Sequence, residues 1–272
     1  MTDSITTCRL CLLPKQLRKS HIIPAFVGRY LKETSATGYL RDAASPNIRR
    51  QDLPTIELLC EVCEQSISRW ERDFAQNIFP IVQNDNFKEI HYDESLLKFA
   101  VSLSWRELVT QEAALKIDLP QFSNRIAKTL ENWRKYLLGI TSQPYSVHHL
   151  FIFAGAPKSL PGDTHPKFLY YALRGIDSTE AVSQRCIAVY VKLLRSIFYS
   201  PVVPSNPAGW KNTRIHAGPG KLISPQIISM PGFADLLNSC VEEGHAVPIS
   251  ESQNEKIRQS MMKDPLRAIS SE

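Results

Sequence analysis

No run of apolar residues in this chain approaches the roughly 18–20 that a helix needs to cross a bilayer. Residues Met1 to Thr7 are polar, where a secretory leader would show a basic start and an apolar stretch. Together these absences predict a cytoplasmic protein with no membrane partner. Internal repeats and low-complexity tracts are also lacking, which excludes solenoids and fibrous chains. Glycine is scarce, at 11 of 272 residues against 18 prolines, so the chain is not collagen-like. No Ser-His-Asp order, dinucleotide-binding glycine fingerprint or H-E-x-x-H motif occurs. The glycine-bearing stretch Trp210 to Lys221 lacks the Gly-Lys-Ser/Thr end of a phosphate loop.

What remains is an ordinary globular composition, 43% hydrophobic and 22% charged, with length for two modest domains or one core and an appendage. Lys and Arg total 32 against 27 Asp and Glu, a net charge of +5 that permits nucleic-acid binding without arguing for it. Four of the six cysteines form two C-x-x-C pairs, Cys8/Cys11 and Cys60/Cys63. Without a leader, such pairs read as a metal site before they read as disulfides. Two tight knuckles with two thiolates each complete the tetrahedral shell of a structural zinc. Cys186 and Cys240 stand alone in apolar segments, which predicts inert burial.

Periodicity divides the chain into a zinc-binding module over 1–82, a helical segment over 83–142, an antiparallel β domain with a flanking helix over 143–249, and a polar tail over 250–272. Prolines 14, 24, 46 and 54 interrupt the first module, which shows little helical pattern before Glu64. Ile67, Trp70, Phe74, Ile78 and Phe79 then predict an amphipathic helix growing out of the second knuckle. Further helices are expected over about 93–114, 120–138 and 232–241, and strands over 147–153, 168–173, 186–190 running on toward 203, and 213–222. Alternation along the strand at 147–153 places one of His148 and His149 inward and the other outward. The fold class expected is α+β.

Between the cysteine pairs lies Ser20-His21-Ile22-Ile23-Pro24, and the second pair sits in Leu59-Cys60-Glu61-Val62-Cys63-Glu64. This ordered set, over roughly residues 8 to 75, resembles the zinc-bearing HNH endonucleases of the ββα-metal superfamily, whose usual reading is C-x-x-C, Asp-His-Ile-x-Pro, an Asn, then Leu-Cys-x-x-Cys-Asn or His. The resemblance implies an N-terminal ββα-metal, treble-clef-like module stapled by a structural Zn2+ on Cys8, Cys11, Cys60 and Cys63. It further implies His21 as general base for phosphodiester hydrolysis in DNA, with Mg2+ or another divalent cation as catalytic partner. Ser20 and Glu64 occupy the positions of that cation's ligands, and the family's middle Asn falls near Thr55. Modules of this kind are common in mobile-element, restriction and phage-defence contexts.

Other roles stay open for the same residues. In its apolar context His21 also suits a buried side chain or an alternative zinc ligand, and Glu64 suits the positive end of a helix dipole. The insert over 27–52 interleaves Arg29, Lys32, Arg41, Arg49 and Arg50 with Tyr30 and Tyr39, a pattern suited to gripping nucleic-acid phosphates, with a hairpin expected around Thr37-Gly38. A competing reading is a zinc-dependent nucleic-acid-binding or assembly module whose nuclease centre has degenerated. A third is a scaffold whose C-terminal sheet binds a protein partner.

Overall fold

A computed structural model describes residues 6–84, 87–154, 164–183, 186–204 and 208–263. Strands β1 (Thr6–Thr7) and β2 (Pro14–Lys15) pair into a small hairpin around the first cysteine pair. Strand β3 (Leu17–His21) is followed by helix α1 (Ala25–Glu33) and the hairpin of β4 (Leu40–Asp42) with β5 (Ser45–Arg50). Strand β6 (Thr55–Cys60) then returns to pair antiparallel with β3, so that Leu17 faces Cys60 and His21 faces Thr55. Helix α2 (Glu61–Asp73) starts at the next residue and continues through a π-turn (Phe74–Ile78) into α3 (Phe79–Val82).

Two features of this module differ from expectation. Helix α1 forms directly after Pro24, in a region that showed little helical pattern. Its stabilisation is tertiary: Val27 is buried, and the rings of Phe26 and Tyr30 each meet Phe79 edge-on at 5.1 Å. Tyr30 is therefore a packing residue and not a free ring for stacking on bases. The insert hairpin turns at Ala43-Ala44, where Asp42 Oδ1 accepts the Ala44 N–H at 2.9 Å, and not at Thr37-Gly38.

After β7 (Glu89–Tyr92) comes α4 (Glu94–Asp118), whose N-cap Asp93 accepts from the Ser95 N–H. Its stretch from Leu96 to Val109 is buried on nearly every side. A 3-10 turn (Pro120–Phe122) leads into α5 (Ser123–Leu137), which packs along α4. Then follow β8 (His148–Ile152), α6 (Phe168–Arg174), β9 (Ile176–Val182), β10 (Ile187–Leu193), β11 (Ser196–Val203), β12 (Trp210–Lys211), β13 (Arg214–Ile215), β14 (Gly220–Ile223), β15 (Ile227–Ile228), α7 (Phe233–Gly244) and α8 (Glu251–Lys263). Five of the strands make one antiparallel sheet in the order β13-β8-β11-β10-β9, while β14 joins β7 and β12 joins β15.

The sheet is covered on both faces, which accounts for the unbroken apolar runs of β10 and β11. Val189, Val191 and Phe198 point to α4 and α5, whereas Ala188, Tyr190, Ile197 and Tyr199 point to α6 and α7. Lys192, fully buried, donates to the carbonyls of Ala172 (2.9 Å) and Leu194, tying the end of α6 to the β10–β11 turn. The strand expected over 168–173 is instead helix α6: Phe168, Tyr171 and Ala172 fall at i, i+3 and i+4 and pack on the sheet as one helical stripe. His148 and His149 do not split inward and outward. Both are buried, because the α4–α5 layer covers one and Trp210 with α7 covers the other.

One apolar core runs from Cys8 and Leu59 through α2 and α4 to Phe198 of the sheet. At its centre Phe74 stacks on Phe99 at 4.4 Å, and Phe198 meets both edge-on. No helix among the described residues is long and apolar enough to cross a membrane. Much of the tail expected to be plain polar chain is helix α8, docked on the insert. Residues 264–272 of the expected tail lie outside the described residues.

Candidate metal centre and the junction beside it

The first knuckle is built by backbone. Cys8 N–H donates to Leu13 O (3.0 Å), Leu12 N–H donates to Cys8 O (2.9 Å), and Leu12 takes a left-handed φ of 61° to close the turn. Arg9 N–H donates to Leu58 O, hanging this hairpin on β6. The second knuckle is the β6–α2 junction itself, with Cys60 ending the strand and Cys63 in the first helical turn. Outer clamps come from the helical layer: Arg9 pairs with Glu112 of α4 at 2.7 Å, and Arg134 of α5 donates to Leu10 O.

These turns bring Cys8, Cys11, Cys60 and Cys63 together, with all four sulfurs within 4.8 Å of one another and no disulfide among them. The Cys11–Cys60 separation is 3.8 Å, and a tetrahedron of Zn–S bonds near 2.3 Å sets sulfurs about 3.8 Å apart. The donor set thus fits a structural metal such as zinc, and among the described residues no other group of three or more metal-type side chains converges. Burial pushes the Cys8 thiol up, but the N–H groups of Cys11, Cys60 and Leu10 more than offset it and hold it at about 7. Burial and the neighbouring Cys8 charge push Cys63 the other way, well above the ordinary thiol range. A cation held by the four sulfurs would favour their thiolate forms.

Beside this cluster, β3 and α2 meet. Ser20, fully buried, donates from Oγ to Glu64 Oε2 at 2.6 Å, across 44 residues of sequence. His21, half-buried, follows at the end of β3. The three residues singled out as catalytic in the sequence therefore share one junction. The group that ties this junction to the rest of the molecule belongs to no motif in the sequence. Arg106 of α4 is only 1% exposed, donates from Nη1 to the His21 carbonyl and from Nε to Ser102 O (3.3 Å), and pairs through Nη2 with Glu71 of α2 at 2.8 Å. An available signal was the dipeptide Arg106-Glu107 inside the apolar stretch of α4, since such residues are rarely buried without partners.

No family model, curated protein or solved structure matches this chain.

The four insert arginines have different surroundings. Arg29 and Arg49 are exposed, the latter with its guanidinium 4.8 Å from the centre of the Tyr39 ring. Arg50 is exposed and lies 3.7 Å from Asp42. Arg41 is half-buried and spent on structure, donating to Pro46 O (2.6 Å) and to Gln253 of α8 (3.3 Å). Cys240 is buried as expected, whereas Cys186 is partly exposed, its sulfur 3.9 Å from the Tyr199 hydroxyl.

Proposed function

We propose that this protein is a metal-dependent nuclease of the HNH kind that hydrolyses phosphodiester bonds in DNA, with a structural zinc on the four cysteines. The observation that carries the reading is the 2.6 Å contact of Ser20 with Glu64 next to His21, because it joins the strand and helix positions that the motif resemblance singles out. The chain order supports it as well: β3, the insert, β6 and α2 run strand, strand, helix, with a cysteine pair at the strand-to-helix junction.

In this reading the imidazole of His21 takes a proton from water as the water oxygen bonds to phosphorus. The ester bond to the leaving sugar oxygen breaks, and that oxygen is protonated from solvent. Ser20 holds the Glu64 carboxylate through one oxygen and leaves the other for a cation. A single carboxylate together with substrate phosphate suits Mg2+, which keeps most of its water. Such an ion would supply charge neutralisation at the phosphate. Arg29, Arg49 and Arg50 are the cations at hand for the nucleic-acid backbone.

The test is nicking of supercoiled plasmid by the purified protein with Mg2+ or Mn2+, against His21→Ala and a chelator control. Cleavage lost in both controls, with zinc content kept in the variant, supports the nuclease. One observation favours a second reading, a degenerate nucleic-acid-binding module: Ser20 stands where the family has a carboxylate, so the junction offers one acidic group and not two. Salt-sensitive DNA binding that His21→Ala leaves intact, with no cleavage under either ion, would favour it.

A further inference from the structure

Arg106 is too buried to touch substrate, yet its guanidinium has partners on both halves of the junction. Its Nη1 donates to the carbonyl of His21, the last residue of β3. Its Nη2 pairs with Glu71, which lies two turns beyond Glu64 on the same helix. Nη1 makes a hydrogen bond, while Nη2 and Glu71 Oε1 meet as an ion pair outside hydrogen-bond geometry, and the single ammonium of a lysine cannot make both contacts from one position. Burying this cation is costly unless every partner is present, so the three elements are fixed relative to one another or not held at all. We propose that Arg106 is the positioning residue that sets the spacing between His21 on β3 and Glu64 on α2.

The inference deepens the nuclease reading and rests on it for its catalytic meaning, while the geometric part stands by itself. Displacing a base by about 1 Å can cost a hundredfold in rate without weakening substrate binding. Arg106→Lys in the full-length protein is therefore expected to lower kcat for plasmid nicking by about 100-fold, with KM for DNA within about threefold of wild type. Amide hydrogen exchange over residues 17–23 should quicken at least tenfold, with zinc content unchanged. Should Arg106→Lys fail to fold, the double variant Arg106→Met with Glu71→Gln removes both charges together and is read in the same two assays.

If wild type cleaves nothing under Mg2+ or Mn2+, the nuclease reading fails, and the exchange rates alone decide the positioning role. Unchanged exchange over 17–23 in a folded variant overturns the proposal, as does unchanged kcat where wild type is active. A rise in KM with kcat unchanged would likewise overturn it, since that is the mark of lost DNA binding.

Discussion

His148 and Ser200, on neighbouring strands of the sheet, meet at 2.7 Å through imidazole Nδ1 and hydroxyl Oγ. The Ser200 hydroxyl continues to Ser104 of α4 at 2.6 Å, and His148 Nε2 continues to Ser146, which accepts from the indole of Trp133 at 2.7 Å. A line of polar groups thus crosses an apolar core with each member partnered, and its place is structural. Ser200→Ala leaves both His148 Nδ1 and Ser104 without this partner and should cost about 1–3 kcal/mol. Urea unfolding of the variant against wild type measures it.

Burial holds His148 at about 3 and His149 at about 4, so both stay neutral in the folded protein at any ordinary pH. In the unfolded chain they protonate near 6.5. A folded value below the unfolded one means stability that is present above pH 6.5 and lost as the pH falls toward 4. Replacing His149 with Gln removes one such group. The stability advantage of wild type over His149→Gln should shrink by up to about 1.4 kcal/mol per pH unit below 6.5. Urea titrations at pH 7.5, 6 and 5 give the slope, and parallel curves would refute the assignment.

Glu180 acts with the opposite sign. Burial first, and the nearby Glu107 charge second, raise its carboxyl to about 7. A folded value above the unfolded 4.5 means stability present below pH 4.5 and lost as the pH rises through 7. Glu180→Gln should accordingly be more stable than wild type at pH 8, by about 1–2 kcal/mol, and lose that advantage by pH 5. Thermal unfolding at the two pH values decides it.

Removing the metal is expected to reach beyond the N-terminal module, because Cys8, Cys60 and Cys63 belong to the same core as Phe74 and Phe99. Cys60→Ser should abolish stoichiometric zinc by elemental analysis. It should also lower the thermal midpoint by more than about 10 °C, given the size of structural zinc contributions. Retained zinc at one per chain in that variant would count against the four-cysteine shell.

The cysteine shell was legible in the sequence because each C-x-x-C pair is a local turn and only their pairing is long-range. Helices α4 and α5 were legible too, since 25 and 15 residues give a period time to repeat. Helices α1 and α6, of 9 and 7 residues, draw their stability from rings elsewhere in the chain, so local pattern says little about them. Alternation misled at His148 and His149 because one strand does not reveal that its sheet is covered on both sides. Arg106 has no local signature for a related reason: its partner His21 is 85 residues away. The Ser20–Glu64 contact was anticipated only as two positions in a motif, and the fold supplies the bond between them.

The insert arginines give the last prediction, because burial separates two classes among residues that the sequence presented as alike. Arg41 donates to Gln253, and the neighbouring Asn47 accepts the Ser250 N–H (2.7 Å) and donates to Pro248 O (3.3 Å), so this side of the hairpin is committed to the segment leading into α8. Arg29 and Arg49 are exposed. If the insert grips DNA phosphates, Arg29→Ala and Arg49→Ala should each weaken binding similarly for all sequences and reduce the salt slope by about one. Arg41→Ala should instead release α8, seen as faster amide exchange over 251–263, with a smaller effect on DNA affinity. Fluorescence anisotropy on a labelled duplex at several salt concentrations, alongside exchange measurements, separates the two classes. Equal losses of affinity in all three variants would mean that Arg41 leaves Gln253 to meet the phosphate backbone. No loss in any of them would remove the insert from the DNA interface.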